Sequence, residues 1–221
     1  MIVCMDSVIR IGAEAVVYRV SWIGLDLVCK HRVPKPYRIP ELDKKIREQR
    51  TMHEVKIMLM LKKAYVPCPA VVLVNLVDAE IYMQYIEGVE LRDWLSKANM
   101  ESIVKIAREL GRIVGRMHLS KIAHGDLTTS NIIIDREDRM YLIDFGLSIF
   151  TEDIEDIAVD IHLLDRSLQS THYNIHKIFM ENFLQGYAET AGKDFTDKIK
   201  RKIREIRMRG RYVEERRRCV S

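Results

Sequence analysis

The chain has few of the residues that staple small secreted domains. Its 221 residues include only four cysteines, Cys4, Cys29, Cys68 and Cys219, scattered without a C-x-x-C pair. That spacing argues against a zinc cage and against a disulfide framework, so free thiols in a reducing compartment are expected. No apolar run approaches the roughly 18 residues that a membrane span requires. The opening Met1-Ile-Val-Cys-Met-Asp6 lacks the basic flank and long hydrophobic stretch of a signal sequence. No membrane contact and a cytoplasmic location are therefore expected. Low-complexity segments and internal repeats are also missing. What is present, 48% hydrophobic and 31% charged residues, excludes disorder of the whole chain.

The net charge of +4 is modest but uneven. Lys198 to Arg218 carries eleven Lys/Arg against three Glu, so this end holds +8 and the rest of the chain −4. Such a run can neutralise several RNA phosphates, each contact steepening the salt dependence by roughly 0.7 to 0.9 log units per log salt. A solvated helix ending in a frayed tail is the plainer reading. Tyr212 is the only aromatic residue there, so base stacking has no support.

Periodicity predicts an α+β fold of two lobes, residues 1–85 and 86–221. Ser7 to Val20, rich in β-branched residues around Gly12, and Leu25 to Lys30 after a Trp22-Ile-Gly24 turn signal read as three strands. Pro34, Pro36 and Pro40 make Val33 to Pro40 a loop. From Glu41 to about Lys63, good helix formers with Leu42, Ile46, Ile57 and Leu61 near helical spacing predict one long helix. Ala70 to Leu76 and Ile81 to Tyr85 then read as a strand pair that ends a small β-rich lobe. Beyond it, Ile103, Ile106, Ala107, Leu110, Ile113, Val114 and Met117 follow the i, i+3, i+4, i+7 template. Ile132 to Ile134 and Tyr141 to Ile143 suggest a small hairpin, and helices are expected over Ile154 to Gln169, Ile175 to Thr190 and Phe195 to about Met208.

The richest chemistry lies in His124-Gly-Asp-Leu-Thr-Thr-Ser-Asn131, followed thirteen residues later by Asp144-Phe-Gly146. In phosphoryl transfer one Asp orients the attacking hydroxyl or water, while an Asn and a second Asp hold Mg²⁺ against the phosphates. Asp126 fits the first role and Asn131 and Asp144 the metal-binding ones. The spacing matches the protein-kinase patterns H-R-D-x-x-x-x-N and D-F-G. Upstream, Lys30 closes Leu27-Val-Cys-Lys30 as the kinase Val-Ala-Ile-Lys motif does, and Glu54, mid-helix, is its expected partner; a solvated helix face is the bland alternative. Met83-Gln-Tyr-Ile-Glu-Gly88 resembles a kinase gatekeeper and hinge, with backbone groups of Gln84 and Ile86 facing an adenine edge; an edge strand followed by a turn is the plainer reading. Gly12-Ala13-Glu14-Ala15-Val-Val17 keeps one glycine of G-x-G-x-x-G-x-V and is two residues shorter. Glu14 puts a negative side chain where phosphate charge is expected, which points to slow or partner-dependent turnover.

Ile11-Gly-Ala-Glu-Ala15, Lys30-His-Arg-Val-Pro34, His124 to Asn131, Leu142-Ile-Asp-Phe-Gly-Leu-Ser148 and Arg207-Met-Arg-Gly-Arg211 resemble the PRPK family, the small atypical kinase of the KEOPS (EKC) complex, from about Val8 to Arg211. The resemblance implies a minimal bilobed kinase fold with ATP and Mg²⁺ in the cleft. It also implies work beside a threonylcarbamoyl-transferase subunit that modifies adenosine in tRNA, and either autophosphorylating serine/threonine kinase or ATPase activity. Under it, tRNA backbone is the natural partner of Arg207, Arg209 and Arg211. Several residues depart from ordinary protein kinases. Gly125 replaces the Arg that binds an activation-loop phosphate, Thr128 stands where a Lys is usual, and no Ala-Pro-Glu motif follows Gly146. Fewer than ten residues remain for substrate docking, which favours ATP hydrolysis or self-phosphorylation within a complex. Asp160, in Val159-Asp-Ile161, matches a helix acid that holds the catalytic loop backbone.

Other readings stay open. Aminoglycoside and choline phosphotransferases share H-G-D-x-x-x-x-N, but their later acidic motif is unlike Asp144-Phe-Gly-Leu147. A RIO-type serine/threonine protein kinase also lacks a docking segment, though its phosphate loop is usually less degenerate. A pseudokinase scaffold that binds RNA has no need to keep Lys30, Asp126, Asn131 and Asp144 together.

Overall fold

The computed structural model describes the backbone of residues 4–218 and the side chains of residues 7–209. Three antiparallel strands, β1 (Cys4–Ile11), β2 (Val16–Trp22) and β3 (Leu25–His31), open the chain. The four-residue loop between β1 and β2 is closed by the Gly12 N–H donating to the Ala15 carbonyl at 2.9 Å. The β2–β3 turn puts Ile23 and Gly24 at φ +50° and +76°, the left-handed pair that suits the twist of a tight hairpin.

Pro40 is the first residue of α1 (Pro40–Lys63), where its missing N–H costs nothing; Glu41 and Asp43 in the first turn and Lys62 and Lys63 in the last complement the helix dipole. Val55, Ile57, Met58 and Leu61 are buried, whereas Leu42, expected on the apolar stripe, is 51% exposed. The stretch of α1 from Pro40 to Glu54 buries Asp43, Thr51 and Glu54 instead. It therefore faces charged groups rather than the apolar core. β4 (Val71–Asn75) and β5 (Glu80–Gln84) complete a five-stranded sheet in the order β1-β2-β3-β5-β4.

Next come β6 (Gly88–Glu90), α2 (Leu91–Leu95), α3 (Met100–Leu119), β7 (Ile122–Ala123), β8 (Ile132–Asp135), β9 (Met140–Leu142) and β10 (Ile149–Phe150). The chain then runs through α4 (Ile154–Thr171), α5 (Tyr173–Ala191) and α6 (Lys193–Arg218). The expected hairpin β8–β9 gains a third strand, β6, and β7 pairs with β10. Two- and three-residue strands carry no periodicity, so sequence could not announce them. The helix expected to end near Met208 continues to Arg218. Good helix formers and an i,i+3 Lys202–Glu205 pair at 2.8 Å support α6, at a cost of about 1 kcal/mol for Gly210.

Caps fix where the helices begin. Asn99 accepts the Ser102 N–H at the start of α3, and Asp153 accepts the Glu155 N–H at the start of α4. One cluster of buried side chains runs from Ile57 and Leu61 of α1 through Leu110 and Val114 of α3 to Phe179 and Phe183 of α5. Cys68 lies in this cluster, while Cys29 sits on the opposite face of the sheet with Val20, Leu27 and Tyr82. Both thiols are free and buried. Among the described residues no helix is long and apolar enough to cross a membrane.

The α3–α5 contact depends on glycine for room. A Cβ at Gly111 would collide with the Phe183 carbonyl, and one at Gly186 with the Arg108 carbonyl. Gly186→Ala is therefore expected to lose about 2–3 kcal/mol, the usual range for overpacking a tight contact, despite alanine's better helix propensity. Urea unfolding measures it.

Candidate active site

Lys30 stands near the end of β3, opposite Val17 on β2 and Ile81 on β5. Its Nζ donates to Glu54 Oε1 at 2.6 Å and to Asp144 Oδ1 at 2.7 Å. Lys30 is 8% and Glu54 1% exposed. Burial alone lowers the pKa of an ammonium, yet the Glu54 and Asp144 carboxylates outweigh it and hold Lys30 above its ordinary value. The structure thus singles out Glu54 from the other acids of α1. It also adds a residue that sequence reading passed over. Arg32, 3% exposed, donates from Nη2 to Glu54 Oε2 at 2.6 Å, so one buried carboxylate serves two cations.

β7 delivers the chain to the catalytic loop. Gly125 sits at φ +79°, and a Cβ there would strike the Leu147 carbonyl. The residue that departs from the kinase Arg therefore has a backbone reason to be glycine. Asp160 on α4, fully buried, accepts the His124 N–H on Oδ2 and the Gly125 N–H on Oδ1, the latter at 2.8 Å. That is the geometry expected of a helix acid holding this loop. His124 Nδ1 accepts the Asp126 N–H at 3.3 Å, while Nε2 lies 3.1 Å from the Ile143 carbonyl. Burial pushes the His124 pKa down, so a neutral imidazole with its proton on Nε2 satisfies both contacts.

Asn131 Nδ2 donates to the Asp126 carbonyl at 2.9 Å and to Asp126 Oδ2 at 2.8 Å, so both contacts are made by the amide nitrogen and not by Oδ1. The Ile143 N–H donates to the Asn131 carbonyl at 3.0 Å, binding this loop to the strand end that presents Asp144. Asp144 takes φ +62°, an uncommon conformation for a non-glycine residue, and Phe145 beside it is buried. Burial raises the Asp144 pKa, but the charge and hydrogen bond of Lys30 lower it further, and the net result lies below the ordinary carboxylate value.

Lys30, Glu54 and Asp144 form the polar end of a cleft of about 280 Å³ whose lining includes Val17, Val28, Met83, Ile86, Ile133 and Ile143; Asp126 and Asn131 are not part of that lining. A flat apolar slot ending in charge suits a nucleotide base and its phosphates. Gln84 also lines it; its N–H is taken by the Ala70 carbonyl at 2.8 Å, leaving its own carbonyl for a base edge. Ile9, Arg10 and Glu90 line the cleft as well, unforeseen because nothing in their local sequence marks them. Gly12, Ala13, Glu14 and Ala15 do not line it. Glu14, expected to face phosphate, is turned onto Arg50 and Arg32, neither of which lines the cleft.

Asn131 and Asp144 fit a magnesium ion, a hard cation that takes one or two protein oxygens and completes its shell with phosphate and water. Among the described residues no group of three or more His, Cys, Asp or Glu side chains forms a metal cage. At the far end of the molecule Arg207 pairs with the buried Asp165 of α4, and Arg209 Nη2 donates to Glu155 Oε1 at 2.8 Å. The Arg211 side chain lies outside the described residues.

The Lys30–Asp144 pair has a pH signature. Because the folded pKa of Asp144 lies below its unfolded value, the stabilisation is complete above about pH 4 and disappears as pH falls through the depressed value. Asp144→Asn is therefore expected to lose less stability than wild type on acidification, measured by urea unfolding at successive pH values.

The protein kinase domain family matches residues 14–173 of the chain. The chain is 44% identical over 214 residues to the KEOPS complex subunit Bud32 of Pyrococcus abyssi (strain GE5 / Orsay), covering 94% of this chain and 97% of that protein. Identity to the EKC/KEOPS complex subunit bud32 of Dictyostelium discoideum is 37% over 207 residues, covering 90% of this chain and 81% of that one. A "Probable bifunctional tRNA threonylcarbamoyladenosine biosynthesis protein" of Methanothermobacter thermautotrophicus is 40% identical over 92% of this chain, which spans only 36% of that relative. With the kinase match covering most of its length and a relative of nearly equal extent at that identity, the chain belongs to the protein kinase domain family and, within it, to the Bud32 (PRPK) family.

Proposed function

We propose that this protein is an ATP-dependent atypical kinase and ATPase subunit of a cytoplasmic KEOPS complex, supporting threonylcarbamoylation of adenosine in tRNA beside the transferase subunit. The observation that carries the enzymatic part is the convergence of Lys30, Glu54 and Asp144, drawn from three places in the chain, on one cleft, with Asn131, which holds Asp126, tied through its carbonyl to the Ile143 N–H beside Asp144.

The cleft takes the nucleotide with its base between Val28 and Ile133 and against the Gln84 and Ile86 backbone. Lys30, held by Glu54, presents its ammonium to the phosphates. Asn131 Oδ1 and Asp144 are the metal-binding oxygens, and a magnesium ion held there supplies neutralisation of phosphate charge. Asp126, fixed by the Asn131 amide, accepts the proton of the attacking hydroxyl or water. Only seven residues separate Gly146 from α4, and Ser148 among them is buried with its hydroxyl donating to the His124 carbonyl at 2.8 Å. So short and tied a segment gives a substrate peptide little to lie on. Water or a serine or threonine hydroxyl presented by a partner, or by this chain, is the acceptor that suits it.

A phosphate-release assay on wild type and Asp126→Ala, with and without the transferase subunit and tRNA, tests this reading. Partner-stimulated release that falls at least about 100-fold in the variant is expected for loss of a general base. Release that survives the substitution would remove Asp126 from the role assigned to it.

The same proposal gives tRNA backbone the basic face of α6. Arg207 and Arg209 already neutralise acids of α4, so Arg211 and the cations beyond it carry more of that contact. Removing Gly210 to Ser221 is expected to weaken tRNA binding and flatten its salt dependence, measured by fluorescence anisotropy across a salt series.

A further inference from the structure

The acid in the phosphate loop is the feature that the proposed function leaves unexplained. A carboxylate three residues before the cleft-lining Val17 opposes a polyphosphate at close range. The structure shows where its charge goes. Glu14 Oε1 accepts a hydrogen bond from Arg50 Nη1, and Oε2 lies 3.6 Å from Arg32 Nη1. On the same loop Lys35 Nζ donates to the Ala13 carbonyl. Loop side chain and loop backbone are thus both held by cations.

The clamp is built from the elements that supply the Lys30–Glu54 pair. Arg32 follows Lys30 by two residues, just past the end of β3, and both side chains reach the same Glu54 carboxylate. Arg50 precedes Glu54 by one helical turn on α1 and so shares its face of the helix. The result is an alternating chain of charge, Lys30, Glu54, Arg32, Glu14, Arg50, that runs from the polar end of the cleft to the tip of the phosphate loop. Arg32 is buried deeply enough to be costly without carboxylates on both sides. The Arg50 hydrogen bond, which outweighs the opposing effect of burial, and with it the charges of Arg50, Arg32 and Arg38 hold the Glu14 carboxyl below its ordinary value, so at neutral pH it carries a charge that these cations face.

We propose that Arg50 is a positioning residue for nucleotide binding: with Arg32 it clamps Glu14 against α1, masking an acid that otherwise repels the triphosphate and tying the phosphate loop to the helix that carries Glu54. This rests on the reading of the cleft as a nucleotide site, and the test separates the two. Adenosine reports the base slot, whereas ATP reports the slot and the phosphate end together.

Calorimetric titration of both ligands, with magnesium, into wild type, Arg50→Ala, Glu14→Gln and the double variant reads the clamp. Arg50→Ala is expected to raise the Kd for ATP about three- to tenfold, the size of a partly screened like-charge contact. Adenosine affinity should stay within about twofold, and the ATP effect should shrink at high salt. Glu14→Gln in the Arg50→Ala background should restore ATP affinity to the level of Glu14→Gln alone, because the charge that needed masking is gone. An ATP loss that Glu14→Gln fails to rescue would show that Arg50 meets the phosphates directly, and unchanged ATP affinity in Arg50→Ala would show that the clamp does not matter; either overturns the proposal. Failure of wild type to bind adenosine would instead overturn the nucleotide reading of the cleft, and the clamp with it.

Discussion

The sharing of the buried Glu54 carboxylate between Lys30 and Arg32 is the constraint on which the site depends. Two cations with almost no access to water are tolerable only because this carboxylate sits between them, with Asp144 on the far side of Lys30 and Glu14 on the far side of Arg32. That requirement fixes the distance from α1 to β3. The stretch of α1 up to Glu54 buries Asp43, Thr51 and Glu54 in place of an apolar stripe, with Asp43 paired to Arg38 and Arg47. The apolar contacts of Ile57, Met58 and Leu61 farther along the helix secure it against the core, so that hydrophobic packing holds the helix while electrostatics sets its position.

A second constraint operates on the other side of the cleft, where the backbone of the catalytic loop is held by groups distant in sequence. Asp160 takes two of its amides, the Ile143 carbonyl faces its histidine, and the Asn131 side chain grips Asp126. Every one of these contacts satisfies a buried polar group that would otherwise be costly. Asp126 and the loop that carries it are thus set on a framework of hydrogen bonds drawn from distant parts of the chain, the kind of alignment that the proposed phosphoryl transfer asks of a protein.

Much of this was legible in the sequence because it is local. His124 to Asn131 and Asp144 to Gly146 are loops whose spacing is set by a few residues of chain, and the long helices carry strong periodicity or capping residues. Arg32 and Arg50 were not legible, because an arginine that closes a buried network reads like any other until β3, α1 and the phosphate loop meet. The sign of Glu14 was legible and its direction was not, since only the fold brings Arg50 within reach. β6, β7 and β10 were too short for any pattern, and the pairing of Arg207 and Arg209 with α4 depends on helix packing that composition does not encode.

The two buried thiols flank the sheet, Cys29 on its outer face and Cys68 on the side of the main core. Desolvation pushes each of them up to about 11, so neither offers appreciable thiolate to an alkylating reagent while the protein is folded. Modification at either position therefore reports an opening event, and because the cysteines lie on opposite sides of one sheet, their separate labelling rates distinguish peeling of the outer surface from separation of the sheet and α1 from the helices below.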